Sequence, residues 1–313
     1  MKRFLAAMLS VLLLLTVGCG SESQPKDAKL SKIKIGLMPD TDSIPFIIAA
    51  EHGYFAEEGV EVELVPFKSA MERDAALQSG NLDGAISDLL AVIFARSGGF
   101  AVHAVSYTDG NYNLVTGGNS GIAASADLRG KEIAISRNTI IEYVTDEILV
   151  VNGIEEEDVS KVVIPQIPVR LEMLQSGNLA AAVLPEPMAS VAVASGSRYV
   201  TGSGELGINP GVIVFSDTSI QEKEASIRAM YRAYNKAVNY LNNTPRTEYI
   251  DLVMEKSGFP APARDALELK PYRSAGMPAQ KDVDEAVHWV KSKDLAGDYS
   301  YDDLVSKLLA EEK

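Results

Sequence analysis

Acidic and hydroxyl side chains recur where an apolar run gives way to a helix-forming stretch, and these turns hold the residues with which the chain could do chemistry. Asp40, Thr41, Asp42 and Ser43 form the first turn, and Ser87 with Asp88 the second. Arg137, Asn138 and Thr139 form the third, and Glu186, set between Pro185 and Pro187, the fourth. Carboxylates in such places suit an amine or a ring N–H, while hydroxyls and amides suit hydrogen bonds to a neutral polar molecule. Each position also has a plainer use. Asp42, Ser43 and Asp88 are good helix N-caps, Thr139-x-x-Glu142 spells a capping box that makes Glu142 structural, and Glu186 stands at a helix start. Both uses stay open, because a cap residue also lines the positively polarised end of its helix. Tyr107, Asn111 and Tyr112, on an extended crossover, offer stacking or hydrogen bonds, or else a sheet or hinge role.

Other chemistries have little to work with. There is one cysteine, Cys19, and three histidines, His52, His103 and His288. No intrachain disulfide, thiolate cage or imidazole-rich metal site is expected, so the reading is no metal and no cofactor. No G-x-S-x-G elbow, Walker loop or H-E-x-x-H occurs and no histidine is paired with a nucleophile, so the expectation is no catalytic residue and no enzyme. Gly202-x-Gly204-x-x-Gly207 fits a dinucleotide fingerprint but runs into Ile208-Asn209-Pro210-Gly211, and is read as a loop with no helix to receive a pyrophosphate. Lys and Arg number 29 against 43 Asp and Glu, a net charge of −14, which supplies no footprint for nucleic acid. With 313 residues, 46% hydrophobic and 23% charged, the chain suits one large or two ordinary packed domains.

The elements that must position these turns form a repeat. Leu-Gln-Ser-Gly-Asn-Leu occurs at Leu77–Leu82 and again at Leu174–Leu179, with Arg73 and Arg170 at the same offset before it. Upstream, Ile35-Gly36-Leu37 and Ile133-Ala134-Ile135 read as buried strands. Each is followed by a polar turn and a helix, Pro45–His52 stopped by Gly53 and Ile140–Asn152 stopped by Gly153. Second strands end at Pro66 and Pro165. Ser69-x-x-Glu72 and Pro168 then open the helices that lead into the shared hexapeptide. Third strands at Ala85 and Ala182 run into Ser87-Asp88 and Pro185-Glu186-Pro187. Strands alternating with helices at this spacing predict mainly parallel sheets whose strand-to-helix turns share one edge, where ligands bind. Extended segments 101–116, 198–201 and 211–215 connect two such units into two lobes around a cleft. From Ser219 to about Asn243, Ile227, Met230, Tyr231, Tyr234, Val238 and Leu241 recur as one buried helical stripe that packs back on the first lobe. Smaller helices follow, with Met254 and Trp289 in the core.

At the N-terminus Lys2 and Arg3 precede an apolar run from Phe4 to Val17, the pattern of an export signal. Thr16-Val17-Gly18-Cys19 resembles a bacterial lipobox, which implies cleavage after residue 18 and lipidation of Cys19. The expected organisation is a signal peptide over 1–18, a lipid-anchored flexible tether over 19–31, lobe 1 over 32–113 plus 203–313, and lobe 2 over 114–202.

The mature chain resembles the ABC-transporter solute-binding family that includes the nitrate, alkanesulfonate, taurine and thiamine-pyrimidine-precursor binding proteins. The resemblance lies in Ile47-Ile48-Ala49-Ala50-Glu51-His52-Gly53-Tyr54-Phe55 with Glu58-Gly59-Val60-Glu61-Val62, in Ala76-Leu77-Gln78-Ser79-Gly80-Asn81-Leu82-Asp83-Gly84-Ala85, in Leu128-Arg129-Gly130-Lys131 and in Pro185-Glu186-Pro187. It implies a hinged, two-lobed periplasmic-binding-protein fold. It also implies a small-molecule solute delivered to a membrane permease driven by an ATPase, by a protein held to the outer face of the membrane or in the periplasm through its lipid alone. A monomer is expected. The acidic turns lean the solute toward a nitrogen-containing compound, pyrimidine-like or taurine-like, with alkanesulfonate or nitrate as the alternative, and an enzyme or a solute sensor on the same fold as the reading from another class.

Overall fold

The computed structural model describes residues 30–310. The signal peptide, Cys19 and nearly all of the tether lie outside them. Ten strands form two five-stranded sheets. The first is built from β1 (Ile33–Leu37), β2 (Val62–Pro66), β3 (Gly84–Asp88), β4 (Val102–Tyr107) and β10 (Gly211–Ser216), in the order β2-β1-β3-β10-β4. The second has β5 (Tyr112–Thr116), β6 (Glu132–Ile135), β7 (Ser160–Val163), β8 (Ala181–Pro185) and β9 (Arg198–Gly202), in the order β7-β6-β8-β5-β9. Strand β1 pairs in parallel with β2 and β3, and β6 with β7 and β8, as helical crossovers require. Tyr112 and Asn113 already belong to the second sheet, just before the expected start of lobe 2.

Each sheet has one strand against the grain. β10 runs antiparallel to β3 and β4, and β5 antiparallel to β8 and β9. These are the two strands that the chain enters directly after passing from one lobe to the other. A chain arriving at the cleft edge, where its neighbours end, must run back along the sheet in the opposite sense. Reading each unit as strand-helix alternation captured the parallel strands and left these two without a direction.

The repeat survives in detail. The helix Ala70–Gln78 and the helix Ile167–Gln175 both end in the shared hexapeptide, with Gly80 and Gly177 each at φ 75°. Only glycine takes that left-handed turn without strain. The next backbone N–H returns to the helix in both copies, Asn81 to Ala76 and Asn178 to Met173, and both asparagine side chains donate to the serine two residues earlier. Ser69 caps the first helix by accepting from Glu72 N, and Pro168 sits in the first turn of the second.

The helix Glu224–Asn243 buries the expected stripe, Ile227 to Leu241, against the helix Ile44–Glu51 of the first lobe, where Phe46 meets Tyr234 at 5.1 Å between ring centroids. Full burial of such side chains contributes about 1.5–3 kcal/mol each. The C-terminal part does not stay on that lobe. The helix Ala263–Ala266 packs on Met188–Ala194 of the second lobe. The helix Gln280–Ser292 packs on Leu89–Ser97 of the first, yet its Trp289 Nε1 donates to Asp146 of the second lobe at 3.0 Å. Trp289 is buried as expected and Met254 is half-buried. The Gly202–Gly207 segment, expected as loop, contains the single-turn helix Ser203–Leu206. No described helix is long and apolar enough to cross a membrane.

Candidate functional site

A cavity lies between the lobes, at the carboxyl ends of strands from both sheets. Met38 and Asp40 reach it from the end of β1, Ser87 and Asp88 from β3, Ser136 and Thr139 from β6, and Pro185 from β8. Ile86, Ile140, Ile141, Pro165 and Ile167 give it apolar walls, and Tyr112 lines it from the crossover. That mixture of polar and apolar lining suits one small molecule. The lobes are drawn together around it: Thr41 N donates to the Glu186 carbonyl at 2.9 Å, Ile167 N to the Lys68 carbonyl at 3.1 Å, and Gln166 Nε2 to Glu72 at 3.3 Å.

Four of the expected site residues meet in this cavity. Asp40 is buried and its Oδ1 has no hydrogen-bond partner; burial pushes its pKa up, to about 7, against the pull of Arg73. Ser87 Oγ is likewise buried without a partner. Asp88 is an N-cap, one oxygen accepting from Ala91 N at 2.9 Å, while the carboxylate faces the Ile140 N–H of the opposing lobe. Burial raises its pKa too, opposed by Arg73. Thr139 caps the helix Ile140–Val151 through Ile141 N rather than Glu142 N, and donates to the Ser136 carbonyl.

The other seven lie elsewhere. Thr41 and Glu186 border a second, more open groove with Asn111, Asn113 and Lys270. Glu186 is held there by Asn113 Nδ2 at 2.7 Å and Ser190 N at 3.2 Å, and burial raises its pKa. Asp42 points at the crossover, where a Cβ on Gly110 would sit 2.5 Å from its Oδ2. Neither of its oxygens makes a hydrogen bond of good geometry; burial and the neighbouring Asp40 raise its pKa, and Thr108 and the Asp109 backbone only soften the effect. Ser43 Oγ is spent on the Met38 carbonyl at 2.6 Å. Tyr107 donates to the Ser274 carbonyl at 2.6 Å beneath the Arg273 guanidinium, an architectural role at the crossover. Arg137 and Asn138 are exposed; Asn138 takes φ 56° and its N–H is accepted by Glu142 at 2.7 Å. Sequence position put these residues on turns at the strand ends, but the direction of a turn's side chains depends on how deeply the turn sits in the cleft.

Two residues of the cavity were noted in the sequence only as marks of the repeat. Arg73 and Arg170 enter it from opposite lobes, both buried. Arg73 bonds Asp74 through Nε at 2.8 Å and the Ile86 carbonyl through Nη1 at 3.1 Å, and feels Asp88 as well. Arg170 donates only Nη1, to the Ile164 carbonyl at 2.9 Å. The signal was their shared offset from the hexapeptide, which places both arginines at the cavity. Among the described residues no group of three or more His, Cys, Asp or Glu is placed to hold a metal.

Two α/β lobes joined by paired crossovers, with a cavity between their strand ends, define the periplasmic-binding-protein fold. The chain belongs to the NMT1/THI5-like family, whose model matches residues 40–248. It is similar to a curated "Putative ABC transporter periplasmic binding protein" of Brachyspira hyodysenteriae, 22% identical over 260 residues, covering 78% of this chain and 75% of that one. The ligand-binding component of an ABC-type import system from Staphylococcus aureus shares the fold with a TM-score of 0.76 at 18% identity, covering 90% of this chain and 98% of that one. So does the periplasmic aliphatic sulphonate binding protein SsuA from Escherichia coli, with a TM-score of 0.73 at 19% identity, over 88% and 92%.

Proposed function

We propose that the chain is the extracytoplasmic solute-binding component of an ABC importer, anchored through lipid on Cys19 after removal of residues 1–18. It works as a monomer whose two lobes, 32–113 with 203–313 and 114–202, close on one small polar solute, and the closed form is what the permease recognises. No chemical step is needed: solute that contacts both lobes stabilises the closed form by its differential affinity. The observation behind this reading is the cavity itself, lined by strand ends of both sheets and bridged by backbone hydrogen bonds from Thr41 and Ile167. The names of the relatives, an ABC importer component and a sulphonate binder, point the same way.

The solute is small, polar and nitrogen-containing, with Asp40, Ser87, Asp88 and Thr139 as contacts. Thermal unfolding of the protein against amino-pyrimidines, taurine, alkanesulfonates, nitrate and amino acids tests the reading. A ligand present at about 100 times its Kd adds roughly 2.7 kcal/mol and raises the midpoint by several degrees. A panel in which every class leaves the midpoint in place, with the protein folded and free of carried-over ligand, argues for a sensor or an enzyme instead.

A further inference from the structure

Arg170 is fully buried, and its Nη1 is taken by the Ile164 carbonyl. Its Nε and Nη2 have no hydrogen-bond partner among the described residues. Among the described residues no carboxylate offsets its charge: burial alone pulls the group down to about 10, still charged at neutral pH. A buried guanidinium with an idle edge is costly unless something fills it. The idle edge is the informative part. Nε and Nη2 are the two coplanar donors with which a guanidinium grips a carboxylate side-on, two parallel N–H bonds to two oxygens.

We propose that Arg170 is the anion receptor of the cavity and that the solute is a small organic carboxylate, gripped bidentately by the Nε–Nη2 edge. This deepens the solute-binding reading and rests on it. Arg73, the other cation lining the cavity, has its positive charge answered by Asp74 and Asp88, so it does not compete for the anion. The edge provides two free donors for two coplanar oxygens, and leaves the third oxygen of a sulfonate with none from this side chain. Across the cavity the unpartnered Asp40 Oδ1 and Ser87 Oγ take an N–H at the solute's other end. The apolar walls, Ile140 and Ile167 among them, hold its body.

The test compares the protein with Arg170→Met, which keeps the length of the side chain, and with Arg170→Lys, which keeps the charge and loses the planar edge. Each is melted with β-alanine, benzoate and isovalerate, with the matching amides, and with taurine and benzenesulfonate, and calorimetry follows on the solutes that shift the midpoint. The expected result is stabilisation of the wild type by at least one carboxylate and not by its amide. Binding should fall by about 100-fold in Arg170→Met and clearly in Arg170→Lys, with ligand-free melting still cooperative in both. Stabilisation by sulfonates, amides or pyrimidines alone, or equal carboxylate binding by wild type and Arg170→Met, overturns the assignment while leaving a solute-binding protein. If no solute of any class shifts the wild type, the assignment falls together with the reading it rests on.

Discussion

Arg73 and Arg170 stand at the same point of the two repeat copies and face one cavity from opposite lobes, but only Arg73 meets a carboxylate. The repeat pairs them, and what surrounds each arginine differs. Arg73 braces a cluster that includes Asp74, Asp88 and, more distantly, Asp40. Among the described residues Arg170 has only a carbonyl oxygen for company.

The asymmetry sets an order of stability costs. Arg73→Met leaves the buried Asp88 without its counter-charge and should cost about 3 kcal/mol or more in denaturant unfolding. Arg170→Met gives up one hydrogen bond to a carbonyl and should cost about 1 kcal/mol. Equal losses in the two variants would show that Arg170 is compensated by a group other than those described.

Asp40 and Asp42 are both raised by burial, Asp40 to about 7. A folded-state pKa above the unfolded value means that the folded protein holds the proton more tightly. The stabilising contribution of Asp40 is therefore complete below about pH 4 and lost as the pH rises toward about 7. Ligand-free protein should melt higher at about pH 5 than at about pH 7.5, and Asp40→Asn should flatten that slope. A melting temperature that climbs over the same interval contradicts the assignment. The groups that share in it are Arg73, Asp109 and the Thr108 hydroxyl.

Glu186 borders the outer groove and is satisfied by Asn113 and Ser190, whereas Asp40 Oδ1 faces the cavity unpaired. For a solute with an amine, Asp40→Asn should weaken binding by about tenfold or more, since a charge-assisted bond is lost. Glu186→Gln should stay within about twofold, as rim groups do. Calorimetric Kd values for the two variants decide this, and a larger loss in Glu186→Gln would move the solute into the outer groove.

Trp289 is the chain's one tryptophan, and its indole N–H bridges to Asp146 of the second lobe from a helix packed on the first. Solute binding that shifts the balance between open and closed forms should change its fluorescence, through contact with Asp146 and with Tyr143 at 5.8 Å. Trp289→Phe removes a hydrogen bond to a charged acceptor and should lower stability by about 1.5–3 kcal/mol. Emission that stays constant while calorimetry reports binding means that this bridge does not open with the cleft.

The repeated hexapeptide, the glycine-stopped helices and the apolar strands are local signals, and for that reason the six parallel strands and their turns were legible without coordinates. Ser69, Asp88 and Thr139 cap their helices as their types and positions indicated. Asp42, Ser43 and Tyr107 show where such reading ends. Their residue types suit a ligand, but Asp42 turns to the crossover, and Ser43 and Tyr107 bond to nearby carbonyls. A turn's sequence does not specify which of its side chains the opposite lobe leaves uncovered.

By itself, then, the sequence determined a repeated α/β unit, the edge on which the strand-to-helix turns gather, and the arginine placed identically in both copies, since each depends on spacing along the chain. The tertiary structure alone decided that β5 and β10 run against their neighbours, that Trp289 ties the C-terminal helix to the second lobe, and that Arg73 is neutralised while Arg170 is not. The reason is physical. Strand direction after a crossover, burial and charge compensation are set by groups far apart in the chain, and an ionised side chain acquires its role from whatever the fold brings within a few ångströms of it.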